Sequence, residues 1–216
     1  MINEVEIIES LHTKTKRNYI QRMLDEKIHC MDVAQEYSGD YWDGDRRYGY
    51  GGYSYDGRWN IVAKKMIEKY GLDKNSKVLD LGCGMGHLLF ELKKELGCHI
   101  QGLDISSYAK SKSPVSADIQ VQDLRGNWSL NSDYDLILSV MTLHNFGIKE
   151  LSDIFTKIRG KSKNFYFAVE SYRTNKELYN LQCWALTCQA FFKPEDWAYI
   201  LESHHINCDL ELLYFE

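Results

Sequence analysis

The sequence predicts an α/β fold, a three-layer α/β/α sandwich built on a mostly parallel sheet. Three observations carry that prediction. From Lys77 onward short apolar runs alternate with helical patterns, the mark of parallel strands joined by covering helices. A glycine-rich turn sits between the first of these strands and the helix after it. The composition, 44% hydrophobic and 26% charged over 216 residues, is that of one ordinary globular domain. A chain of this size buries roughly 70% of its unfolded surface, so it needs neither metal nor disulfide to hold a core.

The first strand is Lys77–Leu81. Leu88, Leu89, Leu92 and Leu96 then recur at helical spacing, and Gly97 stops that helix by accepting the left-handed cap conformation. Strands follow at His99–Ile105, Asp118–Gln122 and Tyr134–Val140, with a polar stretch, Ser106–Ser113, after the first of them. Ile148, Leu151, Ile154, Phe155 and Ile158 form one apolar helix face ended by Gly160, and Phe165–Val169 is the fifth strand. Trp184–Phe192 reads as a further strand. Pro194, followed by Glu195 and Asp196, opens a helix. The alternation in Cys208–Phe215 gives a terminal strand, expected to run antiparallel.

The first part of the chain is different in kind. Residues 1–60 read as a helical extension and a loop, and residues 61–216 as the main domain. Thr15–Tyr37 reads as helix, and Ile61–Tyr70 as a second helix stopped by Gly71. Between them Tyr41–Trp59 is dense in glycine, tyrosine and arginine and cannot be a regular element. A long aromatic loop of this kind inside a compact protein is expected to be a lid or binding loop.

Charge and cysteine usage narrow the function classes. The net charge of −5 argues against a nucleic-acid groove or an anionic membrane as partner. There is no apolar run of membrane-spanning length and no signal-like start, so the expectation is a cytoplasmic protein. The six cysteines contain no C-x-x-C pair, so they read as free thiols and no metal site is expected.

The turn Asp80-Leu81-Gly82-Cys83-Gly84-Met85-Gly86 lets the backbone pass close beneath a ligand and offers unpaired helix-start N–H groups. Its spacing is G-x-G-x-G; His87 stands where a dinucleotide fingerprint has glycine. Asp104 ends the second strand and can accept from both ribose hydroxyls of a nucleoside. Asp123 follows the third strand, within reach of an adenine amino group. All three features fall at carboxyl ends of successive strands, where open α/β sheets bind ligands.

The segments VLDLGCGMGHLLFEL, GLDIS, VQDL and YDLILSVMTLHNF resemble the successive motifs of class I S-adenosylmethionine-dependent methyltransferases, over residues 61 to 216. The resemblance implies the family's Rossmann-like sheet of about seven strands, with a reversed strand near its end. It implies S-adenosyl-L-methionine as cofactor and S-adenosyl-L-homocysteine as product. Asp80, Gly82, Gly84 and Gly86 would surround the methionine part, Asp104 the ribose and Ile105 one adenine face. Asp123 and Leu124 would cap the adenine's amino edge, and Ser139 would lie beside the cofactor. The flanks WDGDRRYGYGGYSYDGRW and CWALTCQAFFKPEDW also resemble a small bacterial subgroup found among surface-polysaccharide genes.

Methyl transfer from a sulfonium is an in-line displacement, and a hydroxyl acceptor additionally needs a base. His144, beyond the fourth strand, is the first candidate for that base, and Glu170, ending the fifth strand, is the second. Arg46, Arg47, Tyr48, Tyr50 and Arg173 are candidates for gripping an acceptor, with Arg58 assigned to the cofactor's carboxylate. The arginines point to a small anionic acceptor, such as a nucleotide-linked sugar or phosphorylated precursor, methylated on oxygen. An amine acceptor and a non-catalytic binding module are the alternatives, and the oligomeric state is open.

Overall fold

The computed structural model describes residues 1–13 and 16–216. Its centre is a sheet of seven strands. These are β1 (Ile2–Glu4), β2 (Lys77–Leu81), β3 (His99–Asp104), β4 (Ile119–Val121), β5 (Tyr134–Val140), β6 (Ser162–Glu170) and β7 (Cys208–Leu213). The order across the sheet is β1-β7-β6-β5-β2-β3-β4, and every neighbouring pair is parallel.

Two corrections concern the sheet's end. β7 runs parallel to β6, with Phe167 opposite Leu210, where a reversed strand was expected. The physical reason lies in the connection: two helices, Asn175–Trp184 and Pro194–Ser203, fill it, which is the length a parallel crossover requires. Trp184–Phe192 is not a strand. Trp184 ends a helix, and the residues after it form an irregular segment that buries Leu186 and Ala190 as isolated anchors. The seventh strand comes from the other end of the chain, where Ile2–Glu4 pairs with Cys208–Leu210.

The remaining helices are α1 (Glu9–Thr13), α2 (Tyr19–Leu24), α3 (Lys27–Gln35), α4 (Gly39–Asp43), α5 (Trp59–Tyr70), α6 (His87–Leu96), α7 (Ser107–Lys112) and α8 (Ile148–Ile158); α9 and α10 are the two in the crossover. The single helix expected over Thr15–Tyr37 is two shorter ones, α2 and α3. They are broken at Glu26, whose φ of 41° is left-handed, and Thr15 itself lies outside the described residues. α5 and α6 stop at Gly71 and Gly97, both left-handed, as expected.

Strand alternation divides the core into two layers. On one face Leu79, Leu81, Ile137, Phe165 and Phe167 pack with Leu151, Ile154, Phe155 and Ile158 of α8 and Trp197 of α10. On the other Val78, Leu136, Leu138 and Tyr166 pack with Val62 and Met66 of α5 and Leu89 and Leu92 of α6. Each fully buried large aliphatic or aromatic side chain contributes about 1.5–3 kcal/mol, so α8, with four of them, is held by its stripe rather than by propensity.

Candidate functional site

A cavity of about 740 Å³ opens at the carboxyl ends of β2, β3 and β5. Its floor is the glycine turn. Gly82, Gly84 and Gly86 all have positive φ, and a Cβ at Gly82 would stand 2.1 Å from the Thr142 side chain. Only glycine fits there, so the turn can lie directly under a ligand.

Asp104 lines the cavity, with its carboxylate fixed by two backbone donors, Gly84 N–H at 2.7 Å and Ser106 N–H at 2.8 Å. Burial pushes its carboxyl up and those two bonds oppose the shift. Two bonds leave lone pairs for a diol, since a carboxylate has about four acceptor sites. Asp80 also lines the cavity. Its Oδ1 is buried without a hydrogen-bond partner, and burial with the nearby Asp104 raises its carboxyl strongly. A buried orphan acceptor facing a cavity is a position that a ligand's donor would satisfy.

Ile105, Asp123 and Leu124 line the same side. Asp123 is paired with Arg125, which donates from its backbone N–H at 2.9 Å and its Nε at 3.0 Å. Arg58 lines the cavity too, in a two-point pair with Asp56 at 2.8 Å for each contact. Ser139 does not line it: the buried hydroxyl donates to the Leu81 carbonyl at 2.7 Å and braces β2 against β5.

A second wall comes from the N-terminal third of the chain, and its Trp42 ring lies against Gly84 of the turn, 2.8 Å from where a Cβ would stand. Ile8, Leu11, His12, Tyr37, Tyr41, Trp42, Arg46 and Tyr50 line it, with Leu213 of β7 beside them. Trp42 stacks on Tyr50 at 5.4 Å and donates its indole N–H to Ser106 Oγ at 2.9 Å, tying the loop to the strand end that carries Asp104. The loop holds more regular structure than expected, since α4 runs into its start and a turn of tight helix at Arg46–Tyr48 lies within it.

Of the five acceptor candidates, Arg46 and Tyr50 reach the cavity and three do not. Arg47 is held by Asp25 at 3.1 Å and Glu26 at 2.7 Å. Tyr48 packs its ring against His29. Arg173 is paired with Glu177 at 2.5 Å and Glu216 at 2.8 Å and lies over the Tyr214 ring. Those carboxylates occupy the guanidinium faces an anionic ligand would need.

His144 and Glu170 are both buried and are not among the lining residues. The Glu170 backbone N–H donates to His144 Nδ1 at 3.3 Å, so the ring proton sits on Nε2, which faces Glu170 Oε2 at 3.6 Å. Burial pulls the imidazole down to about 3 and pushes the Glu170 carboxyl up to about 7. The His144 carbonyl also accepts the N–H groups of Gln189 and Ala190, so this residue ties three segments together.

Sequence reasoning missed Ile8, Leu11 and His12, because a five-residue helix shows no periodicity to read. Trp42 had a signal in its place at the head of the aromatic loop, but nothing in the sequence aims it. Among the described residues no group of His, Cys, Asp and Glu could hold a metal ion, and no helix is long and apolar enough to cross a membrane.

Comparison with known proteins follows the same division. A family model described as a methyltransferase domain matches residues 59–206. The trans-aconitate 2-methyltransferase of Mycobacterium tuberculosis is 30% identical over 106 residues, covering 48% of this chain and 40% of that protein. Phosphoethanolamine N-methyltransferase 1 of Arabidopsis thaliana is 29% identical over 89 residues, covering 38% of this chain and 18% of its own length. The chain therefore spans less than half the length of these curated relatives. Among solved structures, a plantazolicin methyltransferase crystallised with SAH superposes with a TM-score of 0.56 at 15% identity, covering 83% of this chain and 77% of that one. A SAM-dependent methyltransferase from Archaeoglobus fulgidus gives 0.53 at 20% identity, covering 68% of each. At these identities the structures speak for the fold.

Proposed function

The chain belongs to the methyltransferase-domain family, and from that premise we propose that it transfers the methyl group of S-adenosylmethionine to an oxygen of a small anionic acceptor. The observation that carries the reading is one cavity with two chemically distinct walls. On one side are the glycine turn, Asp104, Ile105, Asp123 and Leu124, which suit an adenosine and its amino-acid tail. On the other are Arg46, Tyr41, Tyr50, His12 and an apolar strip from Ile8, Leu11 and Leu213.

In this reading the Asp104 carboxylate takes the ribose diol, and Asp80 Oδ1 takes a donor of the cofactor's methionine part. Leu124 and Ile105 sandwich the adenine edge. Arg58, although paired with Asp56, is the cation available to the cofactor's carboxylate. The acceptor lies between Arg46 and the transferable methyl, under the Trp42–Tyr50 stack. Such enclosure excludes water and aligns the displacement, which is most of what methyl transfer needs.

Incubation with labelled S-adenosylmethionine tests the reading. The acceptor panel is headed by the nucleotide-linked sugars and phosphorylated sugars that the loop's arginines suggest, with small carboxylic acids and phosphoethanolamine beside them. Label transfer to any anionic member supports it. Cofactor binding by calorimetry with no transfer to the panel or to a metabolite extract would instead mark a binding module, and methylation confined to nitrogen would replace oxygen by the amine alternative.

A further inference from the structure

We infer that the acceptor oxygen belongs to a carboxylate, so that the substrate is a small carboxylic acid with an apolar body and the product is its methyl ester. The inference rests on the methyltransferase reading and deepens it. A hydroxyl or a protonated amine must lose a proton as the new bond forms, and this calls for a base within hydrogen-bond reach. A carboxylate is already ionised near neutral pH and needs none.

The enclosed part of the acceptor wall offers no such base among the described residues. His12 is the imidazole on it, and both ring nitrogens are engaged. Nε2 lies 2.9 Å from the Tyr214 carbonyl, which can only accept, so the proton sits there. Nδ1 is then the acceptor for Arg17 Nη2 at 3.2 Å. Burial and the Arg17 charge draw this ring down to about 4. Tyr41 is a phenol that burial raises, and Tyr50, though 41% exposed, is raised as well, which makes both donors at neutral pH. His144 keeps its one lone pair on the Glu170 N–H; the Glu170 carboxylate is near enough to raise Tyr41 and Tyr50, but it is buried and outside the lining.

The other carboxylates and imidazoles around the cavity, Glu36 apart, belong to its cofactor side. Asp80, Asp104 and Asp123 follow the glycine-turn floor and the strand ends. His87 opens α6 and stacks on Tyr55 at 4.3 Å. Glu36 precedes Tyr37 on the acceptor wall, but it is exposed to solvent at the cavity's rim.

What the acceptor wall does supply suits an acid. Arg46 brings a cation whose Nη1 is fixed by the Gly49 carbonyl, and among the described residues no carboxylate is paired with it. Ile8, Leu11 and Leu213 bring apolar surface that strips water from a bound anion. The reaction balances without a proton. A carboxylate lone pair forms the O–CH₃ bond, and the C–S electron pair returns to sulfur. The positive sulfonium and the negative carboxylate both become neutral, a charge annihilation that a weakly polar wall favours.

The test uses the full chain with radiolabelled S-adenosylmethionine and two sets of acceptors, in weak buffer with an indicator dye. The acids are trans-aconitate, succinate, benzoate and octanoate. The proton-bearing acceptors are a sugar phosphate, a nucleotide sugar and phosphoethanolamine, and a metabolite extract is run in parallel. The expected result is label on an acid or an extract component that mild alkali releases as methanol, with no proton liberated per transfer. Alkali-stable label accompanied by one proton per transfer overturns the inference and leaves the methyltransferase reading standing. Cofactor binding with no alkali-labile label from acids or extract also overturns it. Failure to bind the cofactor at all removes the methyltransferase reading and the inference with it.

Discussion

The Glu170 backbone N–H donates to His144 Nδ1 at 3.3 Å, while the ring's Nε2 stands 3.6 Å from Glu170 Oε2, which is buried without a hydrogen-bond partner. The pair is buried, and burial favours the neutral form of each partner, moving the imidazole down and the carboxyl up. This is a structural joint between β6 and the turn after β5, not an exposed acid–base couple.

The first prediction concerns that joint and pH. Burial pushes the Glu170 carboxyl up to about 7 in the folded chain, against its ordinary 4.5. A raised carboxyl gives stability that is present below its unfolded value and lost as pH rises through the folded one. Wild type should therefore lose stability between about pH 4.5 and 7 through this group, by an amount on the order of 3 kcal/mol. Glu170→Gln should abolish that loss, unfolding later than wild type in urea at pH 8 and alike at pH 4.5. A variant less stable than wild type at pH 8 would mean the ionised carboxylate is held favourably.

Asp104→Ala is expected to weaken S-adenosylhomocysteine binding by about ten- to a hundredfold, the effect of losing charge-assisted bonds to a diol at about 1.5–3 kcal/mol. The variant also frees the N–H groups of Gly84 and Ser106, so amide exchange at these two positions should be followed alongside calorimetry. Unchanged affinity in a folded variant would move the nucleoside elsewhere in the cavity.

Much of this was legible in the sequence, for definite reasons. Lys77–Leu81, Gly82 to Gly86 and Asp104 are consecutive local signals, and each falls within about two turns of chain, so periodicity and glycine chemistry locate them. Arg47 and Arg173 show the limit. Their chemistry is the same as that of Arg46, but Glu26 and Glu177 neutralise them, and no spacing rule says which arginine a carboxylate will claim. The parallel course of β7 and the pairing of Ile2 with Cys208 were equally out of reach, because strand direction depends on contacts between the two ends of the chain.

The third prediction separates Arg46 from Arg47. Arg46→Ala should raise the acceptor KM by about ten- to a hundredfold while the cofactor KM moves less than about threefold, since only the acceptor side loses a charge-assisted contact. Arg47→Ala should leave both within about twofold, because its guanidinium points at Asp25 and Glu26 rather than the cavity. Equal effects from the two would mean that Arg46 acts only by ordering the loop.

The last prediction concerns Glu211, a buried carboxylate on β7 that organises the far end of the chain. It accepts the backbone N–H groups of Ile7 at 2.7 Å, Ile8 at 2.8 Å and Glu9 at 2.6 Å, and the Tyr166 hydroxyl at 2.5 Å. These bonds set the segment whose Ile8, Leu11 and His12 line the wall proposed for the acceptor, and Leu213, two residues further along the same strand face, lines it too. Glu211→Gln keeps the volume but removes the charge and turns one acceptor oxygen into a donor. Bonds to a charged group contribute about 1.5–3 kcal/mol each, so losing even one should open the segment roughly ten- to a hundredfold more often. Amide exchange at residues 7–12 should rise by that factor, and the acceptor KM should rise severalfold with cofactor affinity unchanged. Tyr166→Phe, which deletes a single bond, should produce the same pattern more weakly. If exchange instead accelerates evenly across β6 and β7, the carboxylate supports the sheet as a whole, and the acceptor wall does not depend on this clamp.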